Sequence, residues 1–215
     1  ANKTELAQQW ASYTDIYIND AFGASHRAHA SIYAFPEVMQ KKGIGFLIEK
    51  EIKMLDGLYD HPKKPYIAVL GGAKVSDKIP VIEKLIDIVD GFVIGGAMAY
   101  TFLKAQNVGV GKSLVETDKV KYAKEMIERM EARGKTLLLP VDHVTTKSFG
   151  DTENIKITLN STIDDDMMAL DIGPQTIKNF RACLEKAATI FWNGPMGVFE
   201  NPAFSKGTFV VAEAL

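Results

Sequence analysis

The sequence predicts an α/β fold, a doubly wound parallel sheet with helices packed on its faces. Three observations predict it. Short β-rich apolar runs recur at residues 66–70 (YIAVL), 91–94 (GFVI), 136–139 (TLLL) and 188–192 (ATIFW), each bounded by Gly, Pro or charge. Amphipathic stretches lie between them. Glycine-rich segments directly follow three of the runs, where open α/β sheets bind their ligands.

Residues 15–19 (DIYIN) read as a first strand, and residues 46–59 (FLIEKEIKMLDGLY) as a long helix. The polar break HPKKP at 61–65 ends that helix, since prolines exclude regular structure and lysines stay wet. The chain therefore divides into part of one α/β domain at 1–42, an interdomain helix and linker at 43–64, and a second α/β domain at 65–215. In the second domain Val81, Ile82, Leu85, Ile86 and Val89 make one apolar helix face. Residues 117–133 carry a Thr117 cap, an acidic first turn and Gly134 at the expected terminus. Residues 174–186 open with a proline in the first turn. Residues 212–215 read as helix in mid-course, and Ala1 is no initiator methionine, so chain is expected beyond both ends.

A net charge of -2 favours neither nucleic acid nor an anionic membrane as partner. The single cysteine, Cys183, forms no internal disulfide and fits a reducing, cytoplasmic setting. It shares a helix pattern with Phe180 and Leu184 and reads as a packing residue. No apolar run approaches the ~20 residues that span a bilayer. The acidic run Asp164-Asp165-Asp166 reads as a solvated loop.

Four segments carry candidate chemistry. Gly71-Gly72-Ala73-Lys74-Val75-Ser76-Asp77-Lys78 lies between a strand and a helix, where free backbone N–H groups make a phosphate seat. Lys74 and Lys78 are four apart and share a face if the helix begins near Lys74. The spacing is not that of a P-loop. Gly95-Gly96-Ala97 is small enough for a flat ring to approach the backbone, though the dinucleotide G-x-G-x-x-G order is absent. Residues 192–200 (WNGPMGVFE) supply Asn193 for a phosphate and Glu200 for a ribose hydroxyl pair. Taken alone, the first segment is as readily a tight turn with two solvated lysines, the second is more often close helix–strand packing, and the third is usually only a β-turn with a surface acid. Together, at one sheet edge, they predict a mononucleotide site. The fourth segment, residues 19–29 (NDAFGASHRAH), offers the Arg27 fork and His26 to an anion. Its histidine and acidic spacing matches no usual metal pattern.

The strings YINDAFGASHRAHAS, GFLIEKEI, LGGAKVSDKI, IGGAMAYTF, ALDIGP and WNGPMGVFE, in this order, resemble phosphoglycerate kinase almost from end to end. The resemblance implies a monomeric, cytoplasmic hinge enzyme of glycolysis and gluconeogenesis. Its N-terminal domain would bind 3-phosphoglycerate, and its C-terminal, Rossmann-like domain Mg2+ with ATP or ADP. Lys74 would then be catalytic. Ala73, Lys74, Lys78, Gly95, Gly96, Ala169, Leu170, Asn193, Pro195, Gly197, Val198 and Glu200 would bind nucleotide, and Arg27 with His26 the substrate. Ala97 and Ala169 stand where the family often has glycine. The family's magnesium-holding Asp falls in a Gly-Gly-Gly-Asp-Thr turn that this chain does not contain, so no metal ligand is assigned. The alternative is a nucleotide-binding fragment of that enzyme without turnover.

Overall fold

The computed structural model describes residues 3–215. They form two compact units, residues 3–62 and Lys63–Leu215.

The first unit contains α1 (Thr4–Ala11), β1 (Tyr17–Asn19), α2 (Phe35–Val38), β2 (Lys42–Ile44) and α3 (Phe46–Asp60). β1 and β2 pair in parallel, Tyr17 opposite Lys42. The Phe35 ring packs against Trp10 and, edge-on, against buried Tyr17, with centroids 5.5 and 5.0 Å away. Asp20 fixes where α3 begins. Its Oδ1 accepts the Ile48 amide at 2.9 Å. Gly45 lies so close that a Cβ there would meet the carboxyl carbon at 2.3 Å. A carboxylate from the loop after β1 thus satisfies an amide that the helix leaves free. Residues 42–44 are strand, so the helix expected from 43 opens only at Phe46.

The second unit runs β3 (Tyr66–Leu70), α4 (Ile79–Leu85), β4 (Gly91–Ile94), α5 (Met98–Ala105), α6 (Val120–Ala132), β5 (Thr136–Leu138), β6 (His143–Thr146), β7 (Lys156–Ile157), β8 (Met168–Ile172), α7 (Pro174–Leu184), β9 (Thr189–Asn193) and α8 (Lys206–Glu213). The main sheet is parallel throughout, in the order β5-β4-β3-β9. Every residue of β3 and β4 is buried, as the unbroken apolar runs predict for strands covered on both faces. Ile67, Val69 and Val93 pack with Ile172, Phe180, Leu184, Met196 and Val211, and Cys183 sits at the margin of this cluster. Burial raises the Cys183 thiol above its ordinary pKa, as suits a packing residue.

Two local expectations are corrected. Thr117 is not the cap of α6: it opens a 3-10 turn, Thr117–Lys119, and α6 starts at Val120. Gly134 does end the segment, at φ +61°. A second, antiparallel sheet, β7-β6-β8, has no counterpart in the sequence reading. Its β8 is the ALDI string, which leads into α7 through Gly173.

Asp142, left without a role by the sequence, is the anchor of α7. Its carboxylate accepts the Gln175 amide (2.9 Å), the Thr176 amide (2.7 Å) and the Thr176 hydroxyl (2.6 Å). A side chain at Gly173 would strike that carboxylate, its Cβ 2.3 Å from the carboxyl carbon. The Gly-Pro pair after ALDI thus serves two needs, room for Asp142 and a first helical position that lacks a donor.

Candidate functional site

The exits of β3, β4 and β9 are laced together by backbone hydrogen bonds. The Gly71 amide donates to the Asn193 carbonyl (3.0 Å), Gly72 to Pro195 (2.9 Å), Gly95 to Leu70 (2.8 Å), Gly96 to Met196 (3.0 Å) and Met98 to Gly72 (3.1 Å). This crossing requires missing side chains. A Cβ on Gly71 would lie 2.1 Å from the Pro195 oxygen. Gly96 combines φ +64° with a hypothetical Cβ 2.4 Å from the Gly72 nitrogen. Three turns thereby become one rigid edge at the carboxyl ends of parallel strands.

Beside this edge lies a cavity of about 490 Å³. Ala73, Gly96, Ala169, Leu170, Pro195, Gly197, Val198 and Glu200, all expected from the sequence, line it. So does Ala97. Its lining is mainly apolar with Glu200 on the wall, suiting a flat ring with a hydroxyl-bearing neighbour. Gly95 is different. It is buried against Met196, where a Cβ would meet the sulfur at 2.4 Å, and it does not line the cavity.

Lys74, Lys78 and Asn193 also lie off the cavity lining. The expectation that the two lysines share a helix face does not hold, because α4 starts only at Ile79. Residues 74–78 are a turn, closed by the Lys78 amide on the Val75 carbonyl at 2.8 Å. Lys74 is exposed, directly after the cavity-lining Ala73. The Lys78 ammonium donates to the Asn193 Oδ1, joining the β3 exit to the β9 exit by side chains as well.

Glu116 fixes this turn from the other side. It accepts the Ser76 amide on Oε2 (3.0 Å) and the Ser76 hydroxyl on Oε1 (2.6 Å). Its own amide is held by the hydroxyl of buried Thr101 on α5 (3.1 Å). Partial burial pushes the Glu116 carboxyl up, but the hydrogen bonds from Ser76 outweigh it and hold the group below its ordinary pKa.

Sequence reasoning missed Tyr100, Ser113, Leu114, Phe149 and Met168, which complete the lining. Ser113 accepts the Ala169 amide at 3.0 Å and so ties one wall to the loop opposite. Phe149 is 72% exposed. A lone aromatic in the polar run TTKSFGD was a usable signal; the others sit in ordinary apolar or small-residue context.

In the first unit, Arg27 and His26 are exposed and follow a 3-10 turn, Phe22–Ala24. Their neighbours are used locally. Asn19 Oδ1 accepts the Ala21 amide (3.0 Å), its Nδ2 donates to the Ser25 hydroxyl (3.1 Å), and Asp20 holds α3. Among the described residues no three His, Cys, Asp or Glu side chains gather where they could hold an ion. No helix among them is long and apolar enough to cross a membrane.

Two buried groups behind the cavity titrate abnormally, in opposite senses. His143 is fully buried, its Nε2 3.1 Å from the Ser161 carbonyl and its Nδ1 without a partner among the described residues. Burial depresses it to about 4, against the pull of Ser161 and of the Asp142 charge. Asp171 is pushed by burial up to about 6, against the amides of Gly207 and Ile172. For His143 the unfolded chain takes up its proton first, so stability is complete above pH 6.5 and is lost as pH falls toward 4. For Asp171 the folded chain protonates first, so stability is gained as pH falls through about 6. Against this opposing background, His143→Gln should lose less stability than wild type between pH 6.5 and 4, by about 3 kcal/mol. Urea unfolding at each pH checks it.

The chain matches the phosphoglycerate kinase family over residues 1–215. It is 69% identical over 214 residues to a phosphoglycerate kinase of Bdellovibrio bacteriovorus, covering 100% of this chain and 53% of that protein. It is 50% identical over 214 residues to one of Clostridium perfringens, covering 100% of this chain and 54% of that protein. The solved phosphoglycerate kinase of Coxiella burnetii superposes with a TM-score of 0.83 at 38% identity, over 99% of this chain and 55% of that one. That of Pyrococcus horikoshii does so with 0.83 at 32%, over 100% and 56%. The chain thus spans about half the length of the curated relatives it matches. By motif order, by fold and by match along its whole length, it belongs to the phosphoglycerate kinase family.

Proposed function

We propose that this chain is the main nucleotide-holding part of an enzyme that moves a phosphoryl group between ATP and 3-phosphoglycerate. The observation that carries the reading is the junction of a mainly apolar cavity with the Lys74–Lys78 turn, one residue beyond cavity-lining Ala73. Base and ribose lie in the cavity, between the Ala169–Leu170 wall and the Gly197–Val198 wall, and Glu200 accepts from the ribose hydroxyls. The phosphates leave toward Lys78 and Lys74. Because Asn193 Oδ1 already accepts from Lys78, its Nδ2 is the atom left to donate to a phosphate oxygen.

In the direction that consumes ATP, a carboxylate oxygen of 3-phosphoglycerate attacks the γ-phosphorus. The bond to the bridging oxygen breaks, and ADP leaves with that electron pair. The products are ADP and 1,3-bisphosphoglycerate. Such a transfer depends on alignment and charge neutralisation, so the Lys74 ammonium and backbone amides can support it without a covalent intermediate. Magnesium enters as the counter-ion of the nucleotide and is part of the substrate. Arg27 and His26 in the first unit take the anionic groups of the phosphoglycerate.

The test is a coupled assay on the full polypeptide with Mg-ATP and 3-phosphoglycerate. Magnesium-dependent formation of 1,3-bisphosphoglycerate is expected. Its absence from a folded sample that still binds Mg-ADP supports the second reading, a nucleotide-binding protein without turnover.

A further inference from the structure

Asp171 is a buried carboxylate, 1% exposed, that the proposed chemistry does not use. It lies at the point where both cavity walls meet α8. Its Oδ1 accepts the Ile172 amide (2.9 Å) and its Oδ2 the Gly207 amide (2.7 Å) in the first turn of α8. Ser205, at the cap position of α8, makes no side-chain cap of its own. The same Oδ1 fills the space beside two glycines: a Cβ on Gly197 or on Gly207 would approach it to 2.3 Å. Immediately beside it the Val198 amide donates to the Leu170 carbonyl (2.8 Å), joining one wall to the other. The Met196 amide takes the Thr208 hydroxyl as acceptor (3.0 Å), so α8 grips the 194–200 loop one residue beyond Gly207.

We propose that Asp171 is a positioning residue for the nucleotide, setting the spacing of the Gly197–Val198 wall from the Ala169–Leu170 wall. This rests on the nucleotide reading above. An uncharged apolar side chain would pack here at no desolvation cost, whereas a carboxylate is held against its preference, with a pKa near 6. What the charge supplies is two acceptors, one for the strand and one for α8. An asparagine can serve only one of them, and its amide then opposes an N–H at the other.

The experiment uses the full polypeptide carrying Asp171→Asn, with Mg-ADP and inorganic pyrophosphate titrated separately and thermal unfolding followed alongside. The expected result is an Mg-ADP affinity weakened about tenfold or more, the value of one charge-assisted bond. Pyrophosphate, which needs the lysine turn and neither wall, should bind as before, while the unfolding temperature falls by a few degrees for the buried amide left opposed. Unchanged Mg-ADP affinity overturns the proposal, and so does a parallel loss of both ligands with stability, which marks a merely structural role. Should Asp171→Asn not fold, Gly207→Ala presses on the same oxygen from the helix side. Loss of Mg-ADP with pyrophosphate retained then supports the proposal, and unchanged Mg-ADP overturns it. If wild type itself binds no Mg-ADP, the nucleotide reading fails and takes this inference with it, a result distinct from wild type and variant binding alike.

Discussion

Lys74→Ala in the full polypeptide should lower kcat by about 10²–10³-fold, the usual loss when one preorganised charge at a transition state is removed. The unfolding temperature should barely move. Lys74 is exposed, with no ion pair among the described residues, and surface changes of that kind stay within ~0.5 kcal/mol. Mg-ADP affinity should fall far less than kcat, because Lys78, Asn193 and both cavity walls remain. Steady-state kinetics beside a thermal melt separate the two effects. Equal losses of activity and stability would remove Lys74 from the chemistry and leave it a residue of the turn.

The second large effect is on stability. Asp142→Ala should destabilise the Lys63–Leu215 unit by about 3 kcal/mol or more. The carboxylate is 6% exposed and accepts two amides and a hydroxyl at the start of α7. Alanine leaves all three donors without it, beside a Gly173 whose vacant side-chain position no longer has a neighbour to accommodate. The expected signature in urea is a midpoint lowered by about 1 M or more with little change in slope. Since Asp142 does not line the cavity, nucleotide affinity of the folded variant should stay near wild type. A midpoint unchanged within error would show that α7 starts equally well without the anchor.

The fold was legible where sequence pattern and burial coincide. YIAVL and GFVI are unbroken apolar runs because β3 and β4 are covered on both faces, and they read as strands. The antiparallel β7-β6-β8 sheet was not legible, because β6 (HVTT) and β7 (KI) are short and carry little apolar pattern, while the longer run MALDI of β8 is interrupted by Asp171. The helix start after Gly71-Gly72 was misplaced for a physical reason. The residues AKVSD are held as a turn by Glu116, forty positions later, and no local rule reports such a contact. In the site, the glycines and Glu200 could be found because each sits at a strand exit with a chemical reason to be there. Tyr100, Ser113 and Met168 could not, since a tyrosine on a buried helix and a methionine on a strand look like core. Asp171 was invisible for a related cause: nothing in ALDIGP shows that its carboxylate turns inward to meet α8.

The functional reading depends on the cavity between the Ala169–Leu170 and Gly197–Val198 walls holding the nucleotide. A titration of Mg-ADP into the isotopically labelled full polypeptide, followed by backbone amide shifts, tests it most directly. Saturable shifts should concentrate at Gly72, Ala73, Gly96, Ala169, Gly197, Val198 and Glu200, with Lys74 and Lys78 moving when phosphates are present and staying still with adenosine. Saturable binding that leaves these amides unmoved, or shifts confined to another face of the Lys63–Leu215 unit, would contradict it.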